Sequence, residues 1–208
     1  MEPHVEQLLL ERARHLSSAT VHEAAGKIGA LPSALKPLHP SFIVCGQAFP
    51  VQSPPGDNLW LHRALAAAQP GDVLVVATSG ANEFGYWGEV MTRAAQARQL
   101  AGLVIDGGVR DSQRLIALGF PVFSHGICIR GTSKDPLGAG SLYEPIRIGE
   151  VVIHHGDLVL GDADGVVVIP REQIATVIDL AEARDAAETE IFERIARGET
   201  TMEIYRLP

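Results

Sequence analysis

Residues 88–111, GEVMTRAAQARQLAGLVIDGGVRD, constrain the fold more than any other stretch of the chain. They read as a helix, a short buried strand and a tight turn. The strand, 103–105, is apolar throughout, and a second apolar run stands upstream at 73–77. Two such strands enclosing a helix make a parallel βαβ unit. The helix opens at Gly88 with no Ser, Thr or Asp ahead of it to cap its first turn. Its leading N–H groups therefore lack side-chain partners and face whatever lies in front, which makes a ready anion site. After the strand, Asp106-Gly107-Gly108 permits a sharp backbone turn. That turn delivers a cation, Arg110, beside a hard oxygen ligand, Asp111. Together these parts describe a carboxylate-binding, metal-assisted site.

The remaining segments alternate between helical and extended patterns. Residues 5–16 place Leu8, Leu9, Ala13 and Leu16 at helical spacing. Thr20 with Glu23 three residues on forms a capping box for a short helix through Ile28. Strands are expected at 42–45 and onward to Val51, around Gly46. A helix at 59–68 follows the turn Pro54-Pro55-Gly56-Asp57, and a polar, glycine-rich loop spans 78–86. Next come a helix at 112–118, a strand at 121–123 and a loop-rich segment at 127–144. Strands at 146–148, 151–154, 158–160 and 166–169 are separated by Gly-Glu, His-Gly-Asp and Asp-Ala-Asp-Gly turns. A last helix runs from about residue 172 to 197. Parallel βαβ units followed by a run of β turns point to a layered α/β fold rather than a doubly wound sheet. One domain over residues 1–208 is expected. Residues 172–208 form a helical extension that packs on a neighbouring subunit, since nothing C-terminal covers it.

Composition excludes several classes. A formal net charge of −8 argues against a general nucleic-acid binder, which carries a basic face. Small anionic substrates stay open, because a few arginines suffice for a local positive pocket. No apolar stretch approaches the ~20 residues needed to span a bilayer. The N-terminal MEPHVEQLLLERARHL carries acids among its apolar residues and lacks the basic start and long apolar run of a leader. A soluble, cytoplasmic protein is the expectation. Cys45 and Cys128 sit in separate apolar stretches, as free thiols rather than a disulfide or zinc framework.

The strings WGEV and AGLVIDGGVRD, with PPGDNLWLHRAL and QPGDVLVV upstream and GTSKDPLG and GDLVLGDADGVVVIP downstream, carry a resemblance. The chain resembles the 4-hydroxy-4-methyl-2-oxoglutarate aldolases, which also act on 4-carboxy-4-hydroxy-2-oxoadipate. They share a superfamily with the regulator of ribonuclease E activity. The likeness covers roughly residues 20–205. It implies a swivelling β/β/α layered domain with a long C-terminal helix, assembled as a homotrimer or a hexamer with sites at subunit interfaces. It also implies magnesium or manganese, retro-aldol cleavage to pyruvate and decarboxylation of oxaloacetate. By the same resemblance, one acid of the last helix reaches a neighbouring subunit's site. Counting back from Gly198, Glu188 fits best and Glu190 is the alternative.

The residues can be fitted to that chemistry directly. Cleavage beta to a 2-keto acid leaves a pyruvate enolate whose charge must be held. A lysine Schiff base is one answer, but Lys27, Lys36 and Lys134 all lie outside apolar strands. A Lewis-acid metal is the other. Asp111 offers one oxygen, and magnesium tolerates a water-rich shell with one or two protein carboxylates. Arg110 neutralises the enolate oxygen. The N–H groups of the helix start, across Gly88, Glu89, Val90 and Met91, hold the pyruvyl carboxylate. Glu89 takes a proton through a water, although the family more often has Asp at that position.

Plainer roles compete at each position. Asp111 also suits the N-cap of the helix at 112, Arg110 a surface cation, and Glu89 the helix macrodipole. Asp106 reads as an anchor of the Gly-Gly turn, and Asn58 as a turn or site residue. Adjacent His154 and His155 face opposite sides of a strand and do not share a ligand. His125 is a loop histidine near a strand end, and Lys134 is a candidate for a distal carboxylate. Trp60, Phe84, Tyr86 and Trp87 are candidates to shape the pocket. Two functional readings follow: a metal-dependent aldolase or decarboxylase of 2-oxo acids, or a non-catalytic regulator that binds a ribonuclease on the same fold. A methyltransferase is disfavoured, since no glycine-rich nucleotide loop follows the first strand.

Overall fold

The parallel strands are apolar at nearly every position because both of their faces are covered. A computed structural model describes residues 3–208. In chain order the elements are α1 (Pro3–Ala13), α2 (Ser18–Ala24), β1 (Lys36–Pro37), β2 (Val44–Gln52), α3 (Leu59–Ala67), β3 (Asp72–Ala77), β4 (Gly85–Trp87), α4 (Glu89–Ala97) and β5 (Gly102–Val109). Then follow α5 (Ser112–Leu118), β6 (Val122–Ile127), β7 (Ser141–Leu142), β8 (Ile146–Ile148), β9 (Val151–Ile153), β10 (Leu158–Gly161), β11 (Val166–Ile169), α6 (Ile174–Ala196) and α7 (Thr201–Tyr205). The nine-stranded sheet has the order β1-β6-β5-β3-β2-β10-β11, with β4 added beside β5 and β7 beside β2. Its centre, β2, β3, β5 and β6, is parallel.

Successive strand residues point to opposite faces. Phe49, Val51, Leu74, Val76, Leu103 and Ile105 join the cluster under α3, α4 and α5. Their neighbours Ala48, Val73, Val75 and Val104 join the opposite cluster with Ile146, Ile148 and Ile153 of the β8–β9 hairpin. Hairpin, sheet and helices are thus three layers, and the layered α/β expectation holds. A third cluster seats α1, α2 and the first half of α6 on β10 and β11, through Ala13, Val21, Ile174, Val177 and Ile178. Each large apolar side chain so buried contributes about 1.5–3 kcal/mol. Past Ala181 the apolar seat ends, and Glu182 and Asp185 still tie α6 to Arg12 and Thr20. Phe192, Ile195, Met202, Tyr205 and Leu207 on α6, α7 and the chain end are exposed. Among the described residues, no helix is long and apolar enough to cross a membrane.

Several local expectations need correction. The second helix is capped by Ser17, whose hydroxyl accepts the Thr20 N–H, and it ends at Ala24. The expected loop at 78–86 ends in β4, and the terminal helix is followed by α7. Most consequential is Gly107-Gly108, which forms no turn. Both glycines lie inside β5, which runs on to Val109. They serve close approach instead: a Cβ on Gly107 would stand 2.7 Å from the Tyr86 ring, and one on Gly108 2.7 Å from the Phe84 carbonyl. The ladder with β6 is irregular here. Ile105 pairs with Ser124 but Gly108 with Gly126, so three residues on β5 advance against two on β6.

Candidate active site

The strands β4 and β5 run parallel and end together, which brings the two halves of the 88–111 segment side by side. The Arg110 N–H donates to the Trp87 carbonyl at 2.8 Å and fixes this junction. From there one chain enters α4 through Gly88 and the other enters α5 through Asp111. Asp111 has left-handed backbone angles, φ 58° and ψ 30°, and occupies the N-cap position of α5 without capping it. Aspartate tolerates that conformation better than most residues. Its carboxylate turns to the other helix, and Oδ2 accepts the Glu89 N–H at 3.0 Å. The helix that looked uncapped in sequence is therefore capped from 22 residues away. Gly88 makes room for this: a Cβ there would lie 2.6 Å from Asp111 Oδ2.

A cavity of about 260 Å³ opens at this junction. Gly88, Glu89, Val90, Met91, Arg110 and Asp111 all line it, joined by Asn58, His62, Tyr86 and Lys134. The N–H groups of Val90 and Met91 have no hydrogen-bond partner among the described residues. Neither has the Arg110 guanidinium. Two aligned free N–H groups and an unneutralised cation on one wall suit an anion, as does the positive end of the α4 dipole.

The Glu89 side chain is engaged elsewhere. Oε1 accepts from Arg93 Nε at 2.9 Å, and Oε2 from Arg114 at 2.6 Å. The hydrogen bonds from Arg114 and then Arg93 hold its carboxyl below the usual carboxylate range. The group is ionised at neutral pH, and both of its oxygens are engaged. Glu188 lies on α6, pairs with Arg184 at 3.2 Å and does not line the cavity. Glu190, on the same helix, does not line it either.

His62 carried no signal in the sequence. It sits one turn into α3, and burial, followed by the charge of Lys134, pushes its pKa down, so it is a neutral imidazole at pH 7. Of the four aromatic candidates only Tyr86 lines the cavity. Trp87 is buried, stacks on Phe120 and donates to Thr92; Trp60 donates to the Gly138 carbonyl. Phe84 lies under the Arg130 guanidinium. Asp106 accepts from the Thr78 N–H and hydroxyl at 2.6 and 2.7 Å, which ties β5 to the loop after β3 rather than anchoring a turn. His125 contacts Asn82, while His154 approaches Asp157 and His155 packs on Tyr143, outside this cavity.

No cluster of three or more His, Cys, Asp or Glu side chains able to hold a metal exists among the described residues. The donor set here is one exposed carboxylate, Asp111, with Oδ2 already sharing an N–H. That suits a hydrated hard cation such as magnesium or manganese and not a protein-caged zinc. Larger cavities, about 400 and 480 Å³, lie at the opposite ends of the parallel strands, beside Arg14, Gly71 and Gln99. Ligands of parallel sheets gather at the carboxyl ends, where Arg110 and Asp111 stand.

Known proteins resemble this chain in sequence and fold. Residues 18–168 match the RraA-like family model, described as Aldolase/RraA. A Halalkalibacterium halodurans protein provisionally named 4-hydroxy-4-methyl-2-oxoglutarate aldolase is 37% identical over 173 residues, 83% of this chain and 81% of its own. An uncharacterized protein from Pseudomonas syringae pv. tomato superposes with a TM-score of 0.84 at 30% identity, over 97% of this chain and 93% of that one. Streptomyces coelicolor RraAS2, described as an unusual member of the RNase ES inhibitor RraA protein family, superposes with a TM-score of 0.76 at 30% identity. That match covers 92% of this chain and 96% of RraAS2.

Proposed function

The chain belongs to the RraA-like, Aldolase/RraA family, and from that premise we propose that it is a divalent-metal-dependent carbon–carbon lyase. It cleaves 4-hydroxy-2-oxo dicarboxylic or tricarboxylic acids to pyruvate and a second oxo acid, and it decarboxylates oxaloacetate. One observation carries the reading: a free guanidinium, an exposed carboxylate and two free helix N–H groups meet in one cavity. A non-catalytic protein-binding surface has no need of that convergence.

This reading assigns the roles as follows. The Val90 and Met91 N–H groups hold the pyruvyl carboxylate at the positive end of α4. Arg110, unpaired among the described residues, stabilises the enolate oxygen as the C–C bond breaks. Asp111 would hold the magnesium or manganese, which when bound supplies Lewis-acid polarisation of the 2-keto group. In retro-aldol cleavage Glu89 takes the C4 hydroxyl proton through a water, once one of its two arginine contacts opens. Decarboxylation needs no such base. The exposed apolar residues of α6 and α7 are covered in a homotrimer or hexamer, where Glu188 or Glu190 reaches the neighbouring site.

The similarity to RraAS2 favours a second reading, inhibition of a ribonuclease by this fold without catalysis. A panel of 2-oxo acids assayed for pyruvate release, with and without magnesium, separates the two. Release from at least one 4-hydroxy-2-oxo acid supports the lyase. Absence of release from every acid in the panel removes it. Light scattering of the eluted protein reads the assembly.

A further inference from the structure

One buried carboxylate ties the start of α3 to the loop between β6 and β7. Asp57 is 3% exposed and stands just ahead of α3. Its Oδ1 accepts the Leu59 N–H at 2.8 Å, as a helix cap would. Capping uses one oxygen. The other, Oδ2, accepts the Ser133 hydroxyl at 2.9 Å and the Asp135 N–H at 2.5 Å, across 76 and 78 residues. Backbone bonds run beside this clamp: the Asn58 N–H donates to the Ser133 carbonyl, and the Ser133 N–H to the Gly56 carbonyl. Burial alone would raise the pKa of Asp57, but the hydrogen bonds from Asp135, Leu59 and Ser133 outweigh it and hold the carboxyl below its usual range.

Lys134 lies between the two clamped residues. In extended chain, alternate residues face opposite sides. Ser133 and Asp135 meet Asp57, and Lys134 lines the cavity with Asn58 and His62. Residues 128–140 contain no helix or strand, so the place of Lys134 depends on anchors of this kind. Among the described residues Lys134 forms no hydrogen bond or ion pair. Its charge is felt at His62, whose pKa is lowered by burial and then by Lys134. The cavity therefore has two unpaired cations, Arg110 and Lys134. The lyase reading gives Arg110 to the enolate oxygen and the α4 N–H groups to the pyruvyl carboxylate, which leaves Lys134 for an anion farther along the substrate. Resting on that reading, we propose that Asp57 is a positioning residue: it fixes the 133–135 segment so that Lys134 meets the carboxylate remote from the 2-keto group, and so sets a preference for oxo diacids over oxo monoacids. A long side chain fixed at its base loses less freedom on binding.

Two five-carbon acids differ only in that carboxylate: 2-oxoglutarate carries it and 2-oxopentanoate does not. Neither has the 4-hydroxyl that cleavage needs, so titration calorimetry with magnesium reads binding to the full chain without turnover. The wild type binds 2-oxoglutarate about tenfold more tightly. In Asp57→Asn an oxygen remains for the Leu59 N–H, but an NH₂ group faces the Asp135 N–H. There, and in Lys134→Met, the preference disappears while the affinity for 2-oxopentanoate is unchanged. The double variant loses nothing more, because both changes act on one contact. Equal binding of the two acids by the wild type overturns the inference. So does a preference kept in Asp57→Asn, including one kept while both acids weaken alike. Ser133→Ala, at an exposed position, covers the case in which Asp57→Asn does not fold: it narrows the preference, and a full preference there overturns the inference too. Pyruvate release from the 2-oxo acid panel without this preference removes the role of Asp57 alone. The preference without any release removes the lyase reading alone.

Discussion

Asp111 and Glu89 meet backbone to side chain: the N–H that opens α4 donates to Asp111 Oδ2 at 3.0 Å, across the bare α-carbon of Gly88. One carboxylate thus sets the position of the helix start and remains exposed to the cavity. Gly88 has φ −156°, extended backbone that any residue adopts, so its requirement is purely one of space.

Gly88→Ala should therefore misplace Asp111 without unfolding the protein. An added Cβ at 2.6 Å forces the carboxylate off the helix start. Displacements near 1 Å in a reacting site cost about 100-fold. Pyruvate release should fall to that degree, with a circular-dichroism spectrum like that of the wild type.

Metal removal and Asp111→Ala should look alike. EDTA should abolish pyruvate release, and Mg²⁺ or Mn²⁺ should restore it. Asp111→Ala should lose release under both conditions. The variant also leaves the Glu89 N–H without its acceptor, so thermal melts should register the loss of a helix cap, about 0.5–2 kcal/mol. Full activity after exhaustive chelation would count against the metal.

Arg110→Lys should not rescue. An ammonium cannot reproduce the planar guanidinium fork, and loss of an oxyanion-stabilising group costs about 10²–10³ in kcat. Retention of most of the wild-type rate would show that Arg110 is not at the reacting oxygen.

Glu89→Gln should separate the two reactions. It removes the proposed base of retro-aldol cleavage, which decarboxylation does not need, and it breaks the ion pairs to Arg93 and Arg114. Retro-aldol cleavage should suffer much more than oxaloacetate decarboxylation, whereas Asp111→Ala damages both. Equal losses in Glu89→Gln would place Glu89 in the fold or the metal site. Those ion pairs are exposed and worth little to stability, so the melting temperature should barely move.

Elements announced by long apolar patterns were legible. The runs at 73–77 and 166–169 could only be buried strands, and Ser112–Leu118 has the bounds read from its residues. Glycine was the weak point. The same Gly107-Gly108 that permits a turn also permits a strand to be approached closely, and nothing local distinguishes the two. Strand β4, three residues within a polar loop, lacks the length to show a period. At the site, Arg93 four residues after Glu89 could have been paired with it on helical spacing alone. Arg114 could not, because its nearness depends on α4 and α5 lying side by side. The place of His62 in the cavity and the hydrogen bond from Asn58 to the Tyr86 carbonyl were hidden for the same reason: the residues they meet belong to other elements.

The irregularity between Ile105 and Gly108 gives the site a dependence on counting. In a strand, each residue reverses the side to which the next side chain points. Three residues of β5 pass where β6 spends two, so everything after Gly108 is out of phase with the ladder that precedes it. Arg110 and Asp111 inherit that offset. Deleting Gly107 would keep every charged group of the cavity and restore an even ladder, yet it would send the guanidinium to the opposite face of the sheet. The candidate site is in this sense a matter of parity: it depends on the strand that carries it being one residue too long.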